Sequence, residues 1–149
     1  MPSVALAVAL VLVFGAVAWA ASPPRKSARY TGESSQHRKV AARVTSDGKT
    51  LQLRVMQVFR CNRGKDKISE SKFLHQAPTI RADGTFDYHK VYPDEAGVPG
   101  FDEVHTDDQT VTGSFVDGGR RVHGKITAVT TGRSGLTCRS SVTFTARAR

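Results

Sequence analysis

Leu136-Thr-Cys-Arg-Ser-Ser-Val-Thr-Phe-Thr-Ala-Arg147 alternates almost without a fault. Leu136, Cys138, Val142, Phe144 and Ala146 fall on one side, and Thr137, Arg139, Ser141, Thr143, Thr145 and Arg147 on the other. This period of two marks a half-buried β-strand. Ser140 alone sits oddly on the apolar side. The strand carries one of the chain's two cysteines on its inner face, which makes it both a core wall and a covalent anchor.

Working back from this strand, turn residues set the registers of several hairpins. Arg121 to Thr130 precedes it, and a final turn near Gly132 to Gly135 would pair Val122 with Phe144, Gly124 with Val142 and Ala128 with Cys138. Gly118-Gly119 turns Thr110 to Val116 into that strand, setting Phe115 against Val122, Gly113 against Gly124 and Val111 against Ile126. The facing glycines leave a gap that a large side chain from an opposing sheet is expected to fill. Ala82-Asp83-Gly84 suits a three-residue loop with Gly84 in the left-handed position, opposing Ile80 to Phe86. Phe86, Tyr88 and Tyr92 then line the inner side, with Asp87 and His89 outside. Around Ser46-Asp47-Gly48-Lys49 a two-residue Asp-Gly turn pairs Val44 with Leu51, Ala42 with Leu53 and Val40 with Val55, all on one face. The second of these strands continues through Phe59 to Cys61. Asn62 to Ser71 is polar and reads as a loop, with a short strand at Phe73-Leu74. Pro93 to Gln109 lacks periodicity and reads as the longest irregular loop.

These signals predict an all-β, antiparallel domain of seven to eight strands with one disulfide. A β-sandwich is favoured over an up-and-down β-barrel, because a bridge from an early strand to the last would staple two sheets. The chain of 149 residues suits one domain, residues 40–149, preceded by a flexible arm at 21–39 in which Tyr30-Thr31-Gly32 adds a short edge strand. Residues 1–20 differ in composition. Val4 to Ala18 is apolar and ends in Ala18-Trp19-Ala20, a small-x-small pattern that predicts a signal peptide cleaved near Ala20 and a secreted or envelope-associated domain. Met1-Pro2-Ser3 supplies no basic n-region. An uncleaved N-terminal membrane anchor is the alternative, against which Arg25, Lys26 and Arg29 weigh through the positive-inside tendency. In an exported chain the pair Cys61 and Cys138 predicts a disulfide, whose long loop is worth roughly 4 to 5 kcal/mol in the chain-entropy model.

Together Tyr30-x-Gly32-x-Ser34-Ser35, Ser46-Asp47-Gly48, Cys61-x-x-Gly64, Ile80-x-x-Asp83-Gly84-x-Phe86 and Cys138-x-Ser140-x-x-x-Phe144-x-Ala146-Arg147 resemble a family of short, exported, two-cysteine β-rich proteins of high-GC bacteria. The resemblance covers nearly all of the chain after residue 20. It implies export, a two-cysteine β fold and no assigned activity, and it carries over no catalytic residues.

Charge points to the partner. Lys and Arg outnumber Asp and Glu by 22 to 13, for a formal charge of +9. Six of the acids, Asp94, Glu95, Asp102, Glu103, Asp107 and Asp108, lie together in a stretch without Lys or Arg, so the remaining surface is more basic than the total. Such a surface attracts polyanions. Outward positions Arg43, Arg54, Arg121, His123, Lys125, Arg139 and Arg147 could form a basic face, with Arg121, Lys125 and Arg139 the residues expected to meet an anionic lipid or wall polymer. Nucleic acid is disfavoured, since no aromatic platform is interleaved with the charges. The oxygen-rich loop 94–108, through Asp102, Glu103, Asp107 and Asp108, is the candidate Ca²⁺ site, although its spacing matches no calcium-loop motif. The five histidines show no metal-ligand spacing, and no nucleophile motif is present. The expectation is a monomeric, non-catalytic binding module without a cofactor or small-molecule substrate. A metal-dependent or hydrolase-like protein using the acidic loop is the alternative.

Overall fold

The structure is a computed structural model that describes residues 20–74, 77–93, 106–132 and 135–149. Among the described residues nine strands are present: β1 Arg29–Ser34, β2 Lys39–Val44, β3 Leu51–Cys61, β4 Lys67–Phe73, β5 Thr79–Ile80, β6 Thr85–Pro93, β7 Thr106–Val116, β8 Arg121–Thr131 and β9 Thr137–Ala148. No helix occurs among the described residues. All pairings are antiparallel, in the order β4-β3-β2-β1-β9-β8-β7-β6-β5.

The sheet closes on itself, so the barrel, weighed second to a sandwich, is the arrangement found. Closure occurs in two places. At one, β3 meets β9 through Arg60↔Arg139 and Cys61↔Cys138. At the other, Thr50 bridges Thr79, with Leu51 N–H donating to Pro78 O (3.0 Å) and Ile80 N–H to Lys49 O (2.8 Å). The expected disulfide, Cys61–Cys138, is there with Cα atoms 4.0 Å apart. It joins neighbouring strands of one sheet and staples no second sheet to it. That difference overturns the argument for a sandwich.

The hairpin of β1 and β2 fills the space between β3 and β9 for part of their length. Where its backbone turns away, a side chain continues the ladder. Gln36 Nε2 donates to Val58 O (3.1 Å) and Val58 N–H donates to Gln36 Oε1 (2.7 Å), so one amide stands in for a peptide group. The reading of residues 21–39 as a flexible arm with an edge strand is corrected here. β1 lies between β2 and β9, inside the sheet, with Tyr30 only 1% exposed. Residues 22–28 form a strap across one end of the barrel, held by Ser22 N–H to Phe115 O (2.8 Å), Ser27 N–H to Thr45 O (3.3 Å) and Val44 N–H to Ala28 O (3.0 Å). A run of prolines, serines and charges shows no apolar period, yet its backbone groups find partners on a finished barrel.

Three registers agree with the turn chemistry: Val44↔Leu51, Ile80↔Phe86 and Phe115↔Val122. The Ser46–Lys49 turn is wider than two residues, since only Gly48 takes a left-handed φ (78°), and a four-residue loop keeps the same partners. The β8–β9 register differs by two residues. Observed pairs are Val122↔Ala146, Gly124↔Phe144, Ile126↔Val142 and Thr130↔Cys138. Gly135 (φ 76°) ends this turn as Gly84 (φ 84°) ends its own, with Gly135 N–H on Gly132 O and Gly132 N–H on Leu136 O, which moves the turn centre along by one residue. An even slip leaves every side chain on its expected face.

Two further boundaries move. β4 occupies Lys67–Phe73, most of which reads as a polar loop because its inward positions include Ser69 and Ser71. β7 begins at Thr106, so Asp107 and Asp108 belong to a strand. The main apolar core packs Tyr30, Phe86 and Phe115 edge to face, with centroids 5.5 and 5.8 Å apart. The gap at Gly113 and Gly124 is filled from flanking strands rather than from an opposing sheet: an added Cβ would lie 2.5 Å from Phe86 Cζ and 2.7 Å from Phe144 Cζ.

Candidate functional site

The β8–β9 register decides where positive charge collects. Arg121 lies directly opposite Arg147, and both side chains are on the outer face. Like charges so placed repel at close range. Arg120 comes from the β7–β8 turn, Arg149 follows β9, and the strap brings Arg25, so that five arginines line one cleft with Asp117 and Ala148. The tight turn that positions them has left-handed φ at Asp117 (56°), Gly118 (63°) and Gly119 (74°).

Several of these guanidinium groups are held from behind. Arg120 Nε donates to Asp117 O (3.1 Å), Arg149 Nε donates to Thr31 Oγ1 (3.1 Å), and Arg121 Nη2 lies 2.7 Å from Asp117 Oδ2. Anchoring through Nε directs the planar ends of Arg120 and Arg149, which lowers the ordering cost of gripping an anion. Asp117 is the one side-chain carboxylate among the lining residues. The charge continues over the outer faces of β1 and β2, where Arg29↔Arg43 are partners and Arg149 borders the same depression. Farther on it is compensated. Arg54 grips Glu70 through Nε (3.1 Å) and Nη2 (3.0 Å), and Lys72 adds a contact at 3.2 Å. The hydrogen bond from Arg54 holds the Glu70 carboxyl below its ordinary range, and Glu70 in turn raises Arg54.

The three basic residues singled out from the sequence are not brought together. Arg121 is in the cleft. Lys125, between Thr112 and Thr143, is four residues along β8, or roughly 13 Å away at strand spacing. Arg139 lies opposite Val129 and beside Arg60 at the other end of the barrel, roughly 27 Å from Arg121 by the same measure. What the sequence reading missed was Arg25, Arg120 and Arg149, and the pairing of Arg121 with Arg147, which it had placed on the basic face. That pairing was hidden by the register slip, and the other three by lying in a strap, a turn and a chain end with no periodicity to place them.

Of the proposed calcium ligands, Asp102 and Glu103 lie outside the described residues. Asp107 and Asp108 are on opposite faces of β7, so these neighbours cannot close on one ion. Asp107 points inward, is 3% exposed, and accepts from Thr130 Oγ1 (3.2 Å) and from Gln109 Nε2. Asp108 points outward to His89 Nε2 (2.9 Å). No group of three metal-ligating side chains occurs among the described residues.

Asp107 belongs to a polar layer in the barrel interior. Gln57, Ser69, Ser71, Asp107, Thr130 and Ser140 are all buried; along their strands Gln57 and Ser140 fall between the main apolar core and the smaller cluster of Phe59, Ala128 and Cys138, and Thr130, paired with Asp107, lies one inward position beyond Ala128. Gln57 Nε2 donates to Ser71 Oγ (2.7 Å), and the Tyr88 and Tyr92 hydroxyls meet at 2.7 Å. Gln57 Oε1 and Ser140 Oγ have no partner among the described residues.

Comparison with protein-family models, curated proteins and solved structures gives no match for this chain.

Proposed function

We propose that this protein is a non-catalytic, anion-binding β-barrel of the cell envelope, and that its site is the arginine cleft. One observation carries the reading: Arg121 and Arg147 are held face to face, with Arg25, Arg120 and Arg149 around them and Asp117 the one carboxylate among the described lining residues. Guanidinium forks match phosphate and carboxylate oxygens, and an anion seated among them converts mutual repulsion into attraction. The disulfide agrees with an oxidising compartment, in line with the export signal expected from residues 1–20. A calcium-dependent activity centred on residues 94–108 could not draw on Asp107 and Asp108 together at one ion, since they face opposite sides of β7.

Co-sedimentation of the oxidised full chain with bacterial wall polymer and with anionic vesicles, across a salt series, tests this function. Binding should weaken steadily as salt rises. Arg121→Glu with Arg147→Glu should weaken it by about tenfold or more, the scale of losing charge-assisted contacts, while Lys125→Glu with Arg139→Glu should change it far less. Equal losses from the two pairs would remove the cleft as the site, and no binding at low salt would remove the function.

A further inference from the structure

A second pair of facing arginines lies next to the first. Arg29 on β1 is directly opposite Arg43 on β2, as Arg121 on β8 is opposite Arg147 on β9. The two pairs sit side by side on the outer wall, because Arg147 is opposite Thr31, two residues along β1 from Arg29. Diagonal neighbours of this kind are about 8 Å apart. Arg149 joins the pairs: its N–H donates to Arg29 O (3.0 Å), and it borders both the arginine cleft and the depression lined by Arg29 and Arg43. Between the arginines the floor is small, with Thr31 opposite Ala41. Among the described residues, Arg29, Arg43 and Arg147 have no ion-pair partner, and no carboxylate lines the depression. Carboxylates mark its limits instead. Glu33 faces Lys39 farther along the β1–β2 pair, and Glu70 takes Arg54 on β3.

Like charges held this close, without a counter-charge between them, are stabilised when a ligand supplies an anion to each pair. A single phosphate or carboxylate answers one pair and leaves the other. Shape separates a chain from a flat surface. The strands at this end form the ring β1-β2-β3-β5-β6-β7-β8-β9, in which β8 and β2 are three steps apart, so their outward side chains point well over a right angle from each other. A flat array of head groups meets one of these directions at a time, whereas a flexible chain follows the wall.

We infer that the arginine cleft is one end of a track for a single linear polyanion, whose successive phosphates or carboxylates cross β8, β9, β1 and β2 and are gripped in turn by Arg121 with Arg147 and by Arg29 with Arg43. This rests on the anion-binding reading and names the class of its ligand. Two linked contacts bind far more tightly than either alone, since the second is made at the high effective concentration set by the first.

The test titrates the oxidised full chain with inorganic polyphosphate of defined lengths, from pyrophosphate upward, at fixed ionic strength. Affinity should climb by about a hundredfold once the chain spans both pairs, and then level off. Arg29→Gln with Arg43→Gln, both at exposed positions, should return the long chain to the affinity of pyrophosphate. Lys125→Gln with Arg139→Gln, an equal loss of charge elsewhere, should keep the gain. A rise merely proportional to the number of phosphates, or equal losses from the two double variants, overturns the track and leaves the anion-binding function standing. Tighter binding to phosphatidylglycerol vesicles than to the long chain overturns it too, by making the occupant a membrane. If no length binds at low salt the track falls, and if wall polymer and anionic vesicles then fail to bind as well, the anion-binding function falls with it.

Discussion

Ser140 shows how one residue can be read twice. In the sequence it interrupts an apolar face, and in the structure it is 6% exposed with a hydroxyl that meets no partner among the described residues. A buried polar atom left unsatisfied costs about 1 to 3 kcal/mol, so Ser140→Ala should raise stability by about 1 kcal/mol, read as a higher urea midpoint. A lower midpoint would mean that the hydroxyl has a partner, such as an ordered water. Tyr30 is the opposite case. Its hydroxyl is buried and bonded, and burial pushes its pKa above the usual 10, partly offset by the Arg25 N–H and charge. Because the folded value lies above the unfolded one, its contribution is complete below about pH 10 and lost as pH rises through the folded value. Alkaline unfolding should therefore steepen above about pH 10 in the native chain and flatten in Tyr30→Phe, which at neutral pH should be about 1 kcal/mol less stable. An unchanged alkaline profile in the variant would remove Tyr30 as its cause.

Among elements, three hairpins were legible from the chemistry of their turns. Val44↔Leu51, Ile80↔Phe86 and Phe115↔Val122 all follow from local chemistry, because a tight turn and a buried face leave one register free of penalty. The β8–β9 pair was legible only to within two residues, since an even slip exposes nothing. β4 was hidden because Ser69 and Ser71 point inward, and a strand facing a polar layer carries no hydrophobic period. The direct contact of β3 with β9 consists of two residue pairs, the disulfide and the bonds between Asn62 and Thr137, with the Gln36 amide bonded to β3 beside them. With its cysteines 77 positions apart in sequence, the bridge removes considerable freedom from the unfolded chain. The double substitution Cys61→Ala, Cys138→Ala should cost about 2 to 5 kcal/mol, with hydrogen exchange rising first at Val58, Asn62 and Thr137, where β3 and β9 would part. Uniform acceleration across all strands would argue that the bridge acts on the unfolded state alone.

At the scale of the molecule, net charge suggests an anionic partner, and only the fold says where. The salt dependence expected of binding is a property of the whole surface, screened over about 8 to 10 Å at physiological ionic strength. The contrast between the Arg121–Arg147 pair and the Lys125–Arg139 pair is a property of the cleft alone. By itself the sequence determined an antiparallel, all-β chain, the parity of its principal strands, the pairing of Cys61 with Cys138 and an excess of positive charge. Each of these follows from local periodicity, turn chemistry or composition. Only the tertiary structure decided for a barrel over a sandwich, set residues 22–28 across its end and gathered Arg25, Arg120, Arg121, Arg147 and Arg149 around Asp117. Those outcomes depend on which distant strands close on one another, and a period of two says which face a side chain occupies without saying what lies beside it.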